Sequence, residues 1–107
     1  MSTSKIYKRI PKGTDIEINV NMQPIGANTM SSVDWECVFF VGDSSYTVTK
    51  SQCKRVDENN FICPVETATL DRGVLQCRMI AEIPNNLFSD GSRTEIAEFE
   101  VDNIFIW

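Results

Sequence analysis

Apolar and polar residues alternate along most of this chain with a period of two, the pattern of strands that turn one face to a core and one to water. From Thr14 to Met22, Ile16, Ile18, Val20 and Met22 alternate with Asp15, Glu17, Asn19 and Asn21. From Val33 to Val41, one face carries Val33, Trp35, Cys37, Phe39 and Val41, the other Asp34, Glu36, Val38 and Phe40. Trp35 is the expected centre of the core. Gly42 to Ser45 reads as a turn, Tyr46 to Lys50 as the returning strand, and Gln52 to Val56 as a further short strand. At the start, Lys5 to Ile10 predicts a first strand, broken by Pro11-Lys12-Gly13.

The stretch from Asn59 to Arg93 predicts two strands around a shaped connector. Phe61, Cys63 and Val65 alternate with Ile62, Pro64 and Glu66. Pro64 has no N–H to offer a ladder, so its strand lies at an edge or stops pairing there. Thr67 to Gly73 is too short for a packed helix but suits one helical turn, anchored by Leu70 and ended by a glycine able to take positive φ. From Val74 to Ile83 the second strand sets Leu75, Cys77, Met79, Ala81 and Ile83 on its core face. The connection from Pro84 to Arg93 is expected to tuck Leu87 and Phe88 beneath itself. The last strand, Thr94 to Trp107, alternates through Ala97, Phe99 and Val101, and Ile104 and Ile106 resume out of step, which predicts a bulge at Asp102-Asn103.

About seven short strands, a turn signal every ten residues or so and no sustained helical period define the expected fold. It is all-β, an antiparallel immunoglobulin-like β-sandwich. With 107 residues, 42% of them hydrophobic, the chain fits one domain, 1–107, with 1–13 as an N-terminal arm.

Charge and chemistry narrow the function. A net charge of -5, with the basic residues scattered, offers no platform for nucleic acid. The polar N-terminus is no signal peptide, and no run is long and apolar enough to span a membrane. The chain has no histidine, the commonest proton-transfer group at neutral pH, and its four cysteines lack that usual base, so no catalytic residue is assigned. Cys37, Cys53, Cys63 and Cys77 fall in strand-like runs and contain no C-x-x-C pair, which favours reduced, packed thiols over a disulfide framework or a zinc site. The carboxylate pairs Asp15/Glu17 and Asp34/Glu36 sit on solvent faces. The oxygen-rich turns at Asp57–Asn60 and Ser89–Gly91 lack calcium-loop spacing, so no metal or cofactor is expected. Apolar material outside the clearest alternation marks the expected partner contacts: Ile25 and Met30 in the Gln23–Ser31 loop, Phe105 and Trp107 at the C-terminus, and the segment Met1–Ile10.

The strand Asp15-Ile16-Glu17-Ile18, the Trp35–Phe39 run and the Val65–Gly73 passage with Thr69-Leu70 and Gly73 form a series. It continues through the Ile83-Pro84 exit, the Asp90-Gly91-x-Arg93 turn and the closing strand near Ile104. This series resembles the small immunoglobulin-like domains of tailed-bacteriophage virion proteins, among them the N-terminal domain of baseplate upper proteins and head or tail accessory proteins of crAss-like phages of gut Bacteroidales. The resemblance spans most of Thr14–Ile106 and describes turns and strands rather than a site. It implies a non-enzymatic virion component, assembled in the reducing bacterial cytoplasm and bound in many copies to other virion proteins such as the major capsid, head-fibre or tail proteins. Because no fibre region follows Trp107 here, an auxiliary or decoration protein on the capsid lattice, or a head-fibre attachment protein, is expected ahead of a tail or baseplate adaptor. A carbohydrate- or host-surface-binding module using Tyr46, Phe40 and Trp107 is the alternative from another class.

Overall fold

The computed structural model describes residues 7–21 and 29–107, and within them every regular element is a strand or a single 3-10 turn. The alternation read from the sequence becomes β1 (Lys8–Ile10), β2 (Asp15–Asn21), β3 (Asp34–Val41), β4 (Ser44–Thr49), β5 (Lys54–Asp57), β6 (Asn60–Glu66), β7 (Gly73–Pro84) and β8 (Ser92–Ile106). One 3-10 turn, Lys50–Gln52, joins β4 to β5, and another, Thr67–Thr69, joins β6 to β7.

The strands form two sheets, one ordered β1-β8-β7-β3-β4 and one ordered β2-β6-β5. With β2, β3, β5, β6, β7 and β8 taken as B, C, D, E, F and G, these are the GFC and B-E-D arrangements of an immunoglobulin sandwich, with β4 added beside C as in variable domains. The expectation of a purely antiparallel fold is corrected at one place. β1 runs parallel to β8, with Lys8 opposite Ile104 and Ile10 opposite Ile106, so the larger sheet is mixed. The described end of the expected N-terminal arm is therefore a strand of the sandwich, with Ile10 in the core.

The inner faces pack as predicted. Ile18 and Val20 of β2, Trp35, Cys37, Phe39 and Val41 of β3, Phe61, Cys63 and Val65 of β6, and Leu75, Cys77, Met79, Ala81 and Ile83 of β7 are all buried. Trp35 meets Phe61 of the opposite sheet edge to face, with centroids 5.0 Å apart at 82°, and its Nε1–H donates to the Met30 carbonyl at 3.0 Å. Pro64 is paired with Glu17 of β2, whereas β5 pairs β6 only as far as Ile62, so the proline stands where pairing on that side has ended. The register of β7 and β8 shifts between Val74/Phe105 and Gln76/Glu100, and Asn103 takes φ 53°, which places Val101, Ile104 and Ile106 all in the core. This is the predicted bulge, and it reconciles a hydrophobic pattern that changes phase within one strand.

The β6–β7 connector is also built as its residues predict: Leu70 is fully buried and Gly73 has φ 148°. Thr67 adds a tie that composition does not reveal. Its buried hydroxyl donates to the Thr14 carbonyl at 2.8 Å and accepts the Gly13 N–H at 2.9 Å, fastening the β1–β2 turn across 53 residues of sequence. Thr67→Val keeps the shape and removes both bonds, and should cost about 1–3 kcal/mol. A urea midpoint checks this, and Thr67→Ser, which retains the hydroxyl, should recover most of the loss.

Candidate functional site

Two surfaces carry the features that matter for function: the long edge strand β8 with its hairpin loop, and a cleft beside β3. In β8, residues 92–99 pair with β7 along one side, and among the described residues no strand pairs with their other side, since β1 reaches only Ile104–Ile106. An unpaired edge presents a row of free N–H and C=O groups, to which another chain can add a strand.

This edge is also apolar. Six large hydrophobic side chains are exposed among the described residues, and five of them are Leu87, Phe88, Ile96, Phe99 and Trp107, in β8, the loop entering it or the residue after it. Leu87 is 90% exposed and Phe88 48%, so the expectation that they tuck beneath their loop is overturned. The physical reason is the tightness of that loop. Asn85 N–H donates to Gly91 O and Gly91 N–H to Phe88 O, so the ring of backbone bonds closes on itself and leaves no room inside for either side chain. Ala97 and Phe99 are in register with the buried Met79 and Cys77 and face the same side, yet both are exposed. Three strands do not reach across five. Between the apolar residues stand Glu95, Glu98 and Glu100, with Arg93 paired to Glu95 and Arg78 to Glu98.

Of the residues assigned to partner contact from sequence, Phe105 lies in the end of β8 that pairs with β1, and Trp107 directly follows that strand. Phe105 is half-buried, edge to face with Tyr7 at 6.4 Å and under the Arg9 guanidinium at 5.5 Å. Trp107 is 51% exposed, while its backbone is held by Ile10 O and by the Lys12 N–H. Met30 is a correction, because it is fully buried. Its loop is clamped from far along the chain. Lys50 Nζ donates to Ser31 O and Val33 O, both at 2.8 Å, Arg55 Nε donates to Ser31 Oγ, and the Met30 N–H donates to Asn59 Oδ1 at 3.1 Å. Ile25 and residues 1–6 lie outside the described residues. Nor do the aromatics named for a glycan platform come together. Tyr46, in register with Phe39, faces the inner side of the five-stranded sheet, and Phe40 faces the outer side beneath Arg78. Residues 87, 88, 96 and 99 were missed as a surface. The signal was present in the crowding of Leu87-Phe88 into an otherwise polar turn.

The cleft, about 640 Å³, is lined by Trp35, Phe61, Lys50, Arg55, Glu36 and Cys53 among others. Cys53, expected within a strand, instead lies between the 3-10 turn and β5, half-buried. Its Sγ is 2.8 Å from that of the buried Cys63, which also makes thiol contact with Cys37, itself bonded to Cys77. Hydrogen bonds from Cys37, then Cys53, hold the Cys63 thiol below its ordinary value, whereas the bonds to Cys63 and burial push the Cys37 and Cys53 thiols up. Among the described residues no three histidine, cysteine or acidic side chains are grouped to hold a metal ion.

The fold and its exposed edge define a small β-sandwich of immunoglobulin strand order. Comparison with known proteins adds no relative: no family model, curated protein or solved structure matches the chain.

Proposed function

We propose that this chain is a structural, non-enzymatic protein of a tailed-phage virion, an auxiliary protein that seats on the capsid lattice in many copies through the edge of β8. The observation that carries the docking surface is the concentration of exposed apolar side chains along residues 92–99 of β8, whose second side no strand pairs among the described residues. Backbone groups of the edge add a partner strand, while Ile96, Phe99 and Leu87 supply the apolar anchors that such contacts need. Support for the virion setting comes from the resemblance of the Asp15–Ile18, Trp35–Phe39 and Val65–Gly73 passages to phage immunoglobulin-like domains.

Ile96→Lys combined with Phe99→Ser tests the reading, because both side chains are already exposed and the fold should keep its urea midpoint. Co-purification of the variant with assembled capsids is expected to fall at least tenfold. Undiminished incorporation of the folded variant would remove β8 as the docking edge, and failure of the wild-type chain to associate with any capsid would remove the virion assignment.

A further inference from the structure

We propose that Cys53 and Cys63 form a reversible thiol–disulfide site, with the cleft beside Trp35 as the entrance for a small-molecule disulfide. The last pair between β5 and β6 sets Lys54 opposite Ile62, and Cys53 and Cys63 are the residues that immediately follow this pair at the end of the ladder. The sulfurs are already 2.8 Å apart and need to close only to the bond length of about 2.0 Å. Access separates this pair from the other thiols. Cys37, Cys63 and Cys77 are sealed in the core, and only Cys53 is partly open, within a cleft large enough for a small oxidant.

The chemistry follows from this arrangement. Cys53 Sγ, the thiol open to the cleft, attacks one sulfur of the incoming disulfide and gives its proton to the departing sulfur, which leaves as a thiol, so that a mixed disulfide remains at Cys53. Cys63 Sγ then attacks Cys53 Sγ and expels the second small thiol. The protein gives up two electrons and two protons and the small disulfide becomes two thiols. A reducing thiol pool reverses both steps. The crosslink ties the entry to β5 onto β6 and removes the one accessible thiol from the cleft. This site does not depend on the virion reading.

The full-length chain is equilibrated in glutathione buffers of increasing oxidised fraction, quenched with an alkylating reagent, unfolded and weighed. Loss of two of the four alkylatable thiols, a mass lower by two hydrogens and a peptide joining Cys53 to Cys63 are expected, with full return on reduction. Cys53→Ser, changed at the half-exposed position, should retain its remaining thiols at every ratio. Four free thiols under oxidising buffer, a bridge between another pair, or a persistent glutathione adduct at Cys53 without a crosslink would each overturn the proposal.

Discussion

Trp35→Ala is expected to lower the stability of this domain by about 3–5 kcal/mol, the range for emptying an aromatic site in a core that relaxes only in part. Trp35 does three jobs in one position. It fills the space between β3 and β6, it meets Phe61 edge to face, and its Nε1–H holds the Met30 carbonyl. An aromatic pair of this geometry contributes about 0.5–1.5 kcal/mol beyond its buried area. Trp35→Phe separates these roles. It keeps an aromatic ring against Phe61 but removes the donor to Met30, and should cost about 1–3 kcal/mol. Because that hydrogen bond ties down the 29–33 loop, the phenylalanine variant should also show faster amide exchange at Met30 and Ser31, a readout that loss of volume alone would not give. Urea midpoints at unchanged slope check the energies. A Trp35→Ala loss below that of Trp35→Phe would show that the ring is not packed as described.

Gly73→Val is the second large effect, expected at about 2–4 kcal/mol from a side chain in disfavoured backbone and an overpacked contact. At φ 148° the position is one that side chains rarely adopt, and a Cβ there would lie 2.8 Å from Val41 Cγ1. The two causes can be parted with a double-mutant cycle. Val41→Ala in the Gly73→Val background relieves the collision and leaves the backbone term, so the coupling between the two changes should be favourable by about 1 kcal/mol. Zero coupling would mean that Val41 swings aside and that backbone conformation alone makes glycine necessary.

Much of the fold was legible because its signals are local. Alternation in Thr14–Met22, Val33–Val41 and Val74–Ile83 records which side of each strand faces the core, and the structure buries those faces with few exceptions among the described residues, outside which Met22 lies. The bulge at Asp102-Asn103 was legible for the same reason, since a hydrophobic pattern that changes phase within one strand leaves few other backbone solutions. The sites were less so. Met30 looks like stray apolar material in a polar loop, and only Lys50, Arg55 and Asn59, distant in sequence, turn it inward. Ala97 and Phe99 sit on a core-facing phase, yet the narrower second sheet leaves them open. Phe105 and Trp107 were assigned to partner contact, and the structure leaves Phe105 half-buried and Trp107 51% exposed, while the exposed Leu87 and Phe88 depend on how a seven-residue turn closes.

The stretch from Asn59 to Arg93 shows where the division falls. By itself the sequence determined the strands, their inward faces, the Leu70 anchor and the need for glycine at 73, because each follows from a repeat or a backbone preference spanning a few residues. Only the tertiary structure decided that β1 would lie parallel to β8, that residues 92–99 of β8 would have no second strand beside them among the described residues, and that the Cys53 and Cys63 sulfurs would be brought to 2.8 Å. Those outcomes depend on which strands become neighbours and in what register, and a period of two says which way a side chain points without saying what it will meet.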